Sequence, residues 1–314
     1  NNGRWKQDGR SDRSWVALFR IENWDSTKDV PYRVRHGAAA VYEGIIRHDP
    51  VEKEQIVVAA FTGNGNNDRR LKPELVANLK AQNPDLLFFS GDQSYDHTEH
   101  LYAWLLFGRQ YGEVTKDRPT VCIPDDHDVG QANLWGADGK EASTPSGDDG
   151  GFFMPAEYVN EVQFAQTANL PDPVDPAPIK RGIGVYYTAL NVGRVSFAII
   201  EDRKWKTGPK GLIPQRGPRP DHINDPAVDP KSLDVAGAEL LGERQLKFLR
   251  TWAQDWRGAD MKAVLSQTIF TAVPHIHHGS RLLADLDANG WPQTGRNKAL
   301  DEMPEVPYVC VRIP

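Results

Sequence analysis

The chain is poor in cysteine and has neither an excess of basic residues nor a long hydrophobic run. Its 314 residues include two cysteines, Cys122 and Cys310, so no disulfide framework is expected. Lys and Arg number 37 against 43 Asp and Glu, and the net charge of -6 argues against a stable nucleic-acid complex. No run of about eighteen apolar residues occurs, so we expect no membrane span.

A cluster of acidic residues surrounds a histidine in the first half of the chain. Asp125, Asp126 and Asp128 flank His127. Carboxylates this close repel one another unless a cation or hydrogen-bond donors compensate, and a bound metal ion is a common compensator. A solvated acidic turn is the alternative, but residues 118–123 predict a buried strand. Because open α/β sheets bind ligands at the carboxyl ends of their strands, the cluster predicts a metal site.

Two other hydrophobic runs end in polar residues that could bind a ligand. One is followed by Asp92, Tyr95 and His97, and the other, residues 55–61, leads into a turn that contains Asn64. The glycines of this turn permit close approach of the backbone to a ligand. Each signal is weak alone. Three successive strands that end in this way predict one site at one edge of a sheet.

The order of the predicted elements indicates a layered α/β fold. Leucine and valine recur at helical intervals in residues 71–82, between predicted strands at residues 55–61 and 84–90, and leucines repeat this pattern before residues 118–123. Alternation of strands and helices predicts parallel strands that are covered by helices.

The second half of the chain repeats these signals. Residues 184–200 predict a β-hairpin, and its second strand leads into the charged residue Arg203. Residues 240–256 have the apolar spacing of an amphipathic helix, and residues 262–270 predict a further strand. Here again, a charged residue follows the end of a predicted hydrophobic strand.

Four motifs resemble those of a known family. They are Gly-Asp-Gln-Ser-Tyr at 91–95, Asp-Asp-His-Asp at 125–128, Leu-Gly-Glu-Arg-Gln at 241–245 and Asp-Ala-Asn-Gly-Trp-Pro at 287–292. In this order they resemble the PhoD-like family, the alkaline phosphatase D branch of the calcineurin-like metallophosphoesterases. The resemblance implies a layered metallophosphoesterase-type β-sandwich flanked by helices, and an exported or periplasmic location.

The resemblance also implies a centre of two or more metal ions, Fe3+ and Ca2+, with other divalent metals possible. Asp92 matches the bridging carboxylate, Tyr95 a phenolate ligand of ferric iron, and Asp126 a further ligand. Asn64 is the side-chain candidate where some family members have a cysteine ligand. Carboxylate and phenolate oxygens are hard donors that suit iron(III) or calcium.

Catalytic roles follow from the same resemblance and from the residue chemistry. His127 matches a histidine that faces the phosphate and the leaving group, and an imidazole could protonate a departing alkoxide. Arg203 and Arg296 are candidates for a bidentate grip on phosphate. The other expected site residues are Asp125 as a supporting catalytic carboxylate and His97 and Asp128 as substrate contacts.

Two other segments could border the site. The imidazoles of His275, His277 and His278 could bind a metal, but their irregular spacing favours a place beside the cleft. Residues 208–230 are rich in proline and glycine, and long loops of this kind often form lids or binding loops.

Both ends of the chain predict partial units. Residues 15–47 alternate apolar and polar residues as antiparallel strands do, so residues 1–54 are expected to be part of a small β-sandwich with a linker. Residues 55–314 would form the metallophosphoesterase domain. Its C-terminal part is expected to be truncated, because a family motif, Gly-Asp-x-His, is missing and the prolines after Leu300 suit neither a helix nor a central strand.

The expected function is hydrolysis of a small phosphate ester, in particular a diester, by a metal-activated hydroxide at a two-metal centre. One alternative is a catalytically incomplete fragment that binds metal or phosphate. Another is a metal-independent hydrolase that uses Asp92 and Asp125 as acid and base. The oligomeric state is left open.

Overall fold

The N-terminal segment consists of two antiparallel β-hairpins. The computed structural model describes residues 4–7, 15–65, 69–271, 274–277, 279–304 and 306. In it, β1 (Arg4–Gln7) pairs with β2 (Trp15–Leu18), and β3 (Val30–His36) pairs with β4 (Ala40–Ile46). The Tyr32 hydroxyl donates to the Lys116 carbonyl at 2.8 Å, so the second hairpin contacts the body of the protein. The division at residue 54 stays a prediction.

Some predictions fall on residues that are not described. They concern Asn66 and Asn67 of the first polar turn, His278 and the tail residues 307–314, and they lie outside the described residues. Within the described part of the chain, no helix is long and apolar enough to cross a membrane.

Two three-stranded sheets form the centre of the protein. The first contains β5 (Val58–Phe61), β6 (Leu86–Phe89) and β7 (Thr120–Cys122), and all three strands are parallel, as the alternating pattern predicts. β6 lies in the middle and its four residues are buried. The three strand ends therefore meet at one edge of this sheet.

The second sheet is mixed. β8 (Thr188–Val192) and β9 (Val195–Ile199) form the predicted hairpin, and β11 (Met261–Leu265) adds to β9 in parallel. β11 ends five residues before the predicted strand does. The reason is that Asp202 accepts hydrogen bonds from the backbone amides of Gln267 and Thr268, which removes them from strand pairing.

The two sheets pack face to face because side chains alternate along each strand. On β6, Leu86 and Phe88 point inward and share a buried cluster with Phe197 and Ile199 of β9. This apolar layer, rather than either sheet alone, holds the two halves of the chain together.

Helices cover the outer faces. Leu87 and Phe89 point away from the second sheet and pack under α1 (Pro73–Gln82) and α2 (His100–Thr115). The other outer face is covered by α3 (Ala156–Thr167), α4 (Gly242–Gln254) and α5 (Gln293–Asp301), which share a cluster with Ala198 and Ile200. The order of layers is helices, sheet, sheet, helices, so the predicted layered α/β fold is confirmed.

The segment 208–230 is packed against the protein. Within it, β10 (His222–Ile223) pairs antiparallel with β14 (Ala284–Asp285). Between β11 and β14 lies a hairpin of β12 (His275–His277) and β13 (Ser280–Leu282). A small hydrophobic cluster supports the segment; it contains Trp135, Ile213, Ile223, Leu233, Leu286 and Trp291.

The packing of α4 generates a stability prediction. Leu249 is fully buried in the cluster beneath α3, α4 and α5, whereas Leu105 on α2 is 55% exposed. We expect Leu249→Ala to lower the free energy of unfolding by about 2–5 kcal/mol, because it removes buried methyl groups and leaves a cavity. Urea denaturation measures this change. Leu105→Ala is the matched control and should cost less than about 1 kcal/mol; equal losses would contradict the layer assignment.

Candidate metal centre

The loops after β6 and β7 bring two predicted metal ligands and the predicted catalytic histidine together. One ligand atom from each of Asp92, Asp126 and His127 lies within 4.8 Å of the others. We call these three residues the candidate metal centre. Asp92 precedes Asp126 by 34 residues in the sequence, and the parallel pairing of β6 with β7 brings the two loops together.

The close approach of the two loops depends on Gly91. Its φ is +116°, and a Cβ atom at this position would lie 2.2 Å from the Asp125 Cβ. Any side chain here would push the loops apart. Asp92 follows with a φ of 56°, a left-handed conformation that is uncommon for a residue with a side chain.

Asp128 joins the two loops from beneath. Its Oδ2 accepts the backbone amides of Asp92 at 2.8 Å and Asp125 at 3.0 Å, and its Oδ1 accepts the amide of Ser94 at 3.1 Å. Burial raises the pKa of Asp128 to about 7, although these backbone donors oppose the rise. Both oxygens contact the backbone, so Asp128 positions the candidate metal centre; its predicted contact to substrate stays a prediction.

The electrostatics of the candidate metal centre fit a cation. Burial, and then the charges of Asp125 and Asp128, raise the pKa of Asp92 to about 8. Burial and Asp92 likewise raise the pKa of Asp126. The Oδ1 atom of Asp92 is buried and has no hydrogen-bond partner among the described residues. A cation would satisfy this oxygen and remove the repulsion between the two carboxylates.

Tyr95 lies against the same carboxylate. Its hydroxyl donates to Asp92 Oδ2 at 3.0 Å, and burial together with the charge of Asp92 raises its pKa. The phenol is therefore protonated at neutral pH and would have to lose its proton to act as a metal ligand. Two carboxylates, a phenol and an imidazole form a donor set that fits an oxygen-preferring ion.

His127 and His97 form a pair beside the carboxylates. Nε2 of His97 lies 2.6 Å from Nδ1 of His127, and the Tyr95 ring centroid is 4.3 Å from that of His127. Burial, and then His97, lower the pKa of His127 to about 4, and burial lowers the pKa of His97. Both rings are neutral at neutral pH, so His127 can donate a hydrogen bond but carries no charge.

Arg203 makes a bidentate contact, but its partner is a carboxylate. Its Nε lies 2.7 Å from Asp125 Oδ1 and its Nη2 lies 3.0 Å from Asp125 Oδ2, while Nη1 donates to Asp287. Arg203 is 3% exposed. Burial raises the pKa of Asp125 despite this ion pair. Arg203 and Asp125 therefore bind each other as a buried ion pair beside the candidate metal centre.

The side chains of Asn64 and Arg296 form hydrogen bonds with residues other than Asp92, Asp126 and His127. The Asn64 Oδ1 accepts the Tyr111 hydroxyl at 3.0 Å, and its Nδ2 donates to the Gln93 carbonyl and to Gln110 Oε1, both at 3.2 Å. Arg296 lies on α5 and its guanidinium contacts Asn297 Oδ1. The Asn64 backbone amide donates to the Asp92 carbonyl at 2.8 Å, so the turn that contains Asn64 lies beside the candidate metal centre, and the predicted roles of both side chains stay predictions.

Asp287 and Lys206 form hydrogen bonds and an ion pair next to the candidate metal centre, although neither was a predicted site residue. Asp287 accepts the Leu134 amide at 3.0 Å and pairs with Arg203. The fully buried Lys206 donates to the backbone carbonyls of Asp287 and Asn289 at 2.7 and 2.6 Å. The motif at 287–292 contains the signal for Asp287, whereas no local pattern identifies Lys206.

A layered α/β sandwich with acidic residues and histidine at the carboxyl ends of parallel strands is the architecture that the motifs indicated. A solved structure titled "Structure of PhoD" shares this fold, with a TM-score of 0.58 and 16% sequence identity over 88% of this chain and 54% of that chain. The chain thus spans about half the length of that structure. No family model and no curated protein matches the sequence. The likeness shows the fold, and the predicted resemblance is confirmed at that level.

The raised pKa of Asp92 predicts a pH dependence for chelator-treated protein. An unfolded Asp has a pKa near 3.9, roughly, and Asp92 in the folded chain has one of about 8, so folding binds a proton between these values. The stabilisation is complete below about pH 4 and is lost as the pH rises through 8. We expect Asp92→Asn, which cannot titrate, to reduce this slope by at most about 1.4 kcal/mol per pH unit. Urea denaturation across the pH range measures it.

Asp149 supplies the control for this experiment. Burial tends to raise its pKa, but hydrogen bonds from Lys140 and Ser143 lower it on balance. Asp149→Asn should therefore not reduce the slope. Parallel stability curves for the wild type and Asp92→Asn would show that Asp92 does not take up a proton on folding.

Proposed function

We propose that the protein hydrolyses small phosphate esters, in particular diesters, with metal ions bound at the candidate metal centre. The observation that carries the proposal is the buried Asp92 carboxylate, which lies against Asp126 and has an oxygen without a hydrogen-bond donor. Carboxylates in this arrangement are stable as ligands of a cation. The PhoD-like fold supports the class of reaction.

Asp92 and Asp126 would hold the metal ions, and Tyr95 would join them as a third oxygen ligand after it loses its proton. Fe3+ and Ca2+ fit these hard donors, and other divalent ions are compatible with them. When bound, such ions lower the pKa of a water molecule and offset the charge on the phosphate oxygens.

His127 would assist the leaving group. Its imidazole is neutral, so it donates a hydrogen bond through the ring nitrogen that does not face His97, and the 2.6 Å contact between the rings sets its orientation. Asp128 holds both loops in register, and Arg203 keeps the charge of Asp125 balanced. In this proposal Asp128 and Arg203 are positioning residues.

A second candidate function is binding without turnover. It is favoured by the position of Arg203, which is 3% exposed and donates to Asp125, Asp287 and the Leu134 carbonyl, so its guanidinium faces protein groups. The third candidate, a metal-independent acid and base pair of Asp92 and Asp125, is disfavoured by the same ion pair, because Arg203 occupies both oxygens of Asp125.

Activity against chromogenic substrates tests the proposal. We expect the metal-loaded chain to hydrolyse a nitrophenyl phosphodiester, to lose this activity with a chelator, and to lose metal in Asp92→Asn. His127→Gln should lower kcat by about 10²- to 10³-fold, the usual cost of losing a hydrogen-bond donor to developing negative charge. Steady-state assays of the diester and the corresponding monoester, with elemental analysis of bound metal, measure these effects.

Asp138→Asn is the control, because Asp138 is a partly exposed carboxylate paired with Lys180. It should keep both activity and metal content. Bound metal without turnover would contradict the hydrolase proposal and support binding without catalysis. Turnover that resists the chelator would favour the metal-independent hydrolase.

A separate prediction concerns Tyr95. If ferric iron is the ion it binds, reconstitution with iron should produce a visible phenolate-to-iron absorption, which Tyr95→Phe should abolish. Tyr102→Phe, on the exposed side of α2, should keep the band. A band that persists in Tyr95→Phe would remove Tyr95 from the ligand set.

A further inference from the structure

Three histidines and a carboxylate converge at a second place, on strands β10, β12 and β14, outside the candidate metal centre. We propose that His222, His277 and Asp285, with His275 beside them, bind a divalent zinc-class ion. One ligand atom from each of the first three residues lies within 4.8 Å of the others. This second centre is independent of the proposed hydrolysis.

The backbone brings these side chains together from distant parts of the chain. His222 lies directly opposite Asp285 in the pairing of β10 with β14. His275 and His277 are two residues apart on β12, so their side chains share one face of that strand. The ring centroids of His222 and His277 are 4.8 Å apart, and those of His275 and His277 are 6.3 Å apart.

The distances suit an ion between the side chains better than direct hydrogen bonds. Asp285 Oδ2 lies 3.8 Å from Nε2 of His222 and 3.8 Å from Nε2 of His275, too far for a hydrogen bond. Zinc–nitrogen bonds of about 2.0–2.1 Å in a tetrahedron place neighbouring ligand atoms about 3.3 Å apart. Closing the 3.8 Å pairs to this separation takes about half an ångström, and a pair at the 4.8 Å limit of the group would close by about 1.5 Å.

A buried carboxylate supports the histidine. Asp221 is fully buried; its Oδ2 lies 3.4 Å from Nε2 of His222 and accepts a hydrogen bond from the side-chain Nδ2 of Asn133 at 3.0 Å. Its Oδ1 lies 3.3 Å from Nε of Arg219. Asp221 thus faces the same ring nitrogen of His222, Nε2, as Asp285 does. The carboxylate of Asp285 also attracts a cation more strongly than a group of imidazoles without a carboxylate would.

The ligand type distinguishes the two centres. The candidate metal centre is dominated by oxygen donors, whereas the second centre offers mainly imidazole nitrogen, which zinc and similar divalent ions prefer. An ion here would tie β10, within segment 208–230, to β12 and β14. It would hold that segment against the protein.

Zinc binding by the whole 314-residue chain tests the second centre. After zinc loading and dialysis, we expect wild-type protein to retain one more zinc per chain than His277→Gln or Asp285→Asn. Asp92→Asn, which alters only the candidate metal centre, should retain the zinc of the second centre. His48→Gln removes an exposed histidine that contacts Asp29 and Glu52, and it should keep the wild-type content.

X-ray absorption on zinc-loaded Asp92→Asn protein provides a readout that does not depend on activity or on the folding of the other variants. At least two imidazole ligands around zinc would support the second centre. Oxygen ligands alone would overturn it. Equal zinc content in the wild type, His277→Gln and Asp285→Asn would overturn it as well.

Discussion

The structure depends on how buried negative charge is balanced at one edge of the first sheet. Five carboxylates lie there: Asp125, Asp126, Asp128 and Asp287 are buried, and Asp92 is half-buried. Removing an ionised carboxylate from water is costly unless it is paired or protonated. Arg203 balances Asp125 and Asp287, and backbone amides satisfy Asp128. Asp92 and Asp126 are left with protons or a cation as their compensation, and the proposed metal site rests on this charge balance.

The apolar sandwich makes this arrangement tolerable. Leu86 and Phe88 on one sheet and Phe197 and Ile199 on the other form a rigid layer beneath the loops. A densely packed support of this kind can hold carboxylates at separations that free loops would relax. The left-handed conformation of Asp92 is a local cost of the same kind, which the surrounding packing and hydrogen bonds sustain.

The two proposed centres differ in donor chemistry and share one part of the chain. Asp285 contacts the histidines of the second centre, and two residues later Asp287 pairs with Arg203 behind the candidate metal centre. A single segment thus links segment 208–230 to the charge balance of the central sheets. Its register with β10 determines both sets of contacts, because a slip of one residue would turn Asp285 to the opposite face.

Many of the strands and helices and part of the candidate site could be predicted from the sequence, because the patterns that indicate them are local. Hydrophobic runs predicted β5, β6, β7 and the hairpin of β8 and β9, helical spacing predicted α4, and the motif around His127 contains two of the three residues of the candidate metal centre. By contrast, Arg203 pairs with Asp287 across 84 residues, and His222 meets Asp285 only through strand pairing. The sequence by itself determined which segments are strands or helices and which ends carry charge. Only the tertiary structure decided which charges meet, because such pairs depend on packing between distant segments and leave no periodic pattern in the chain.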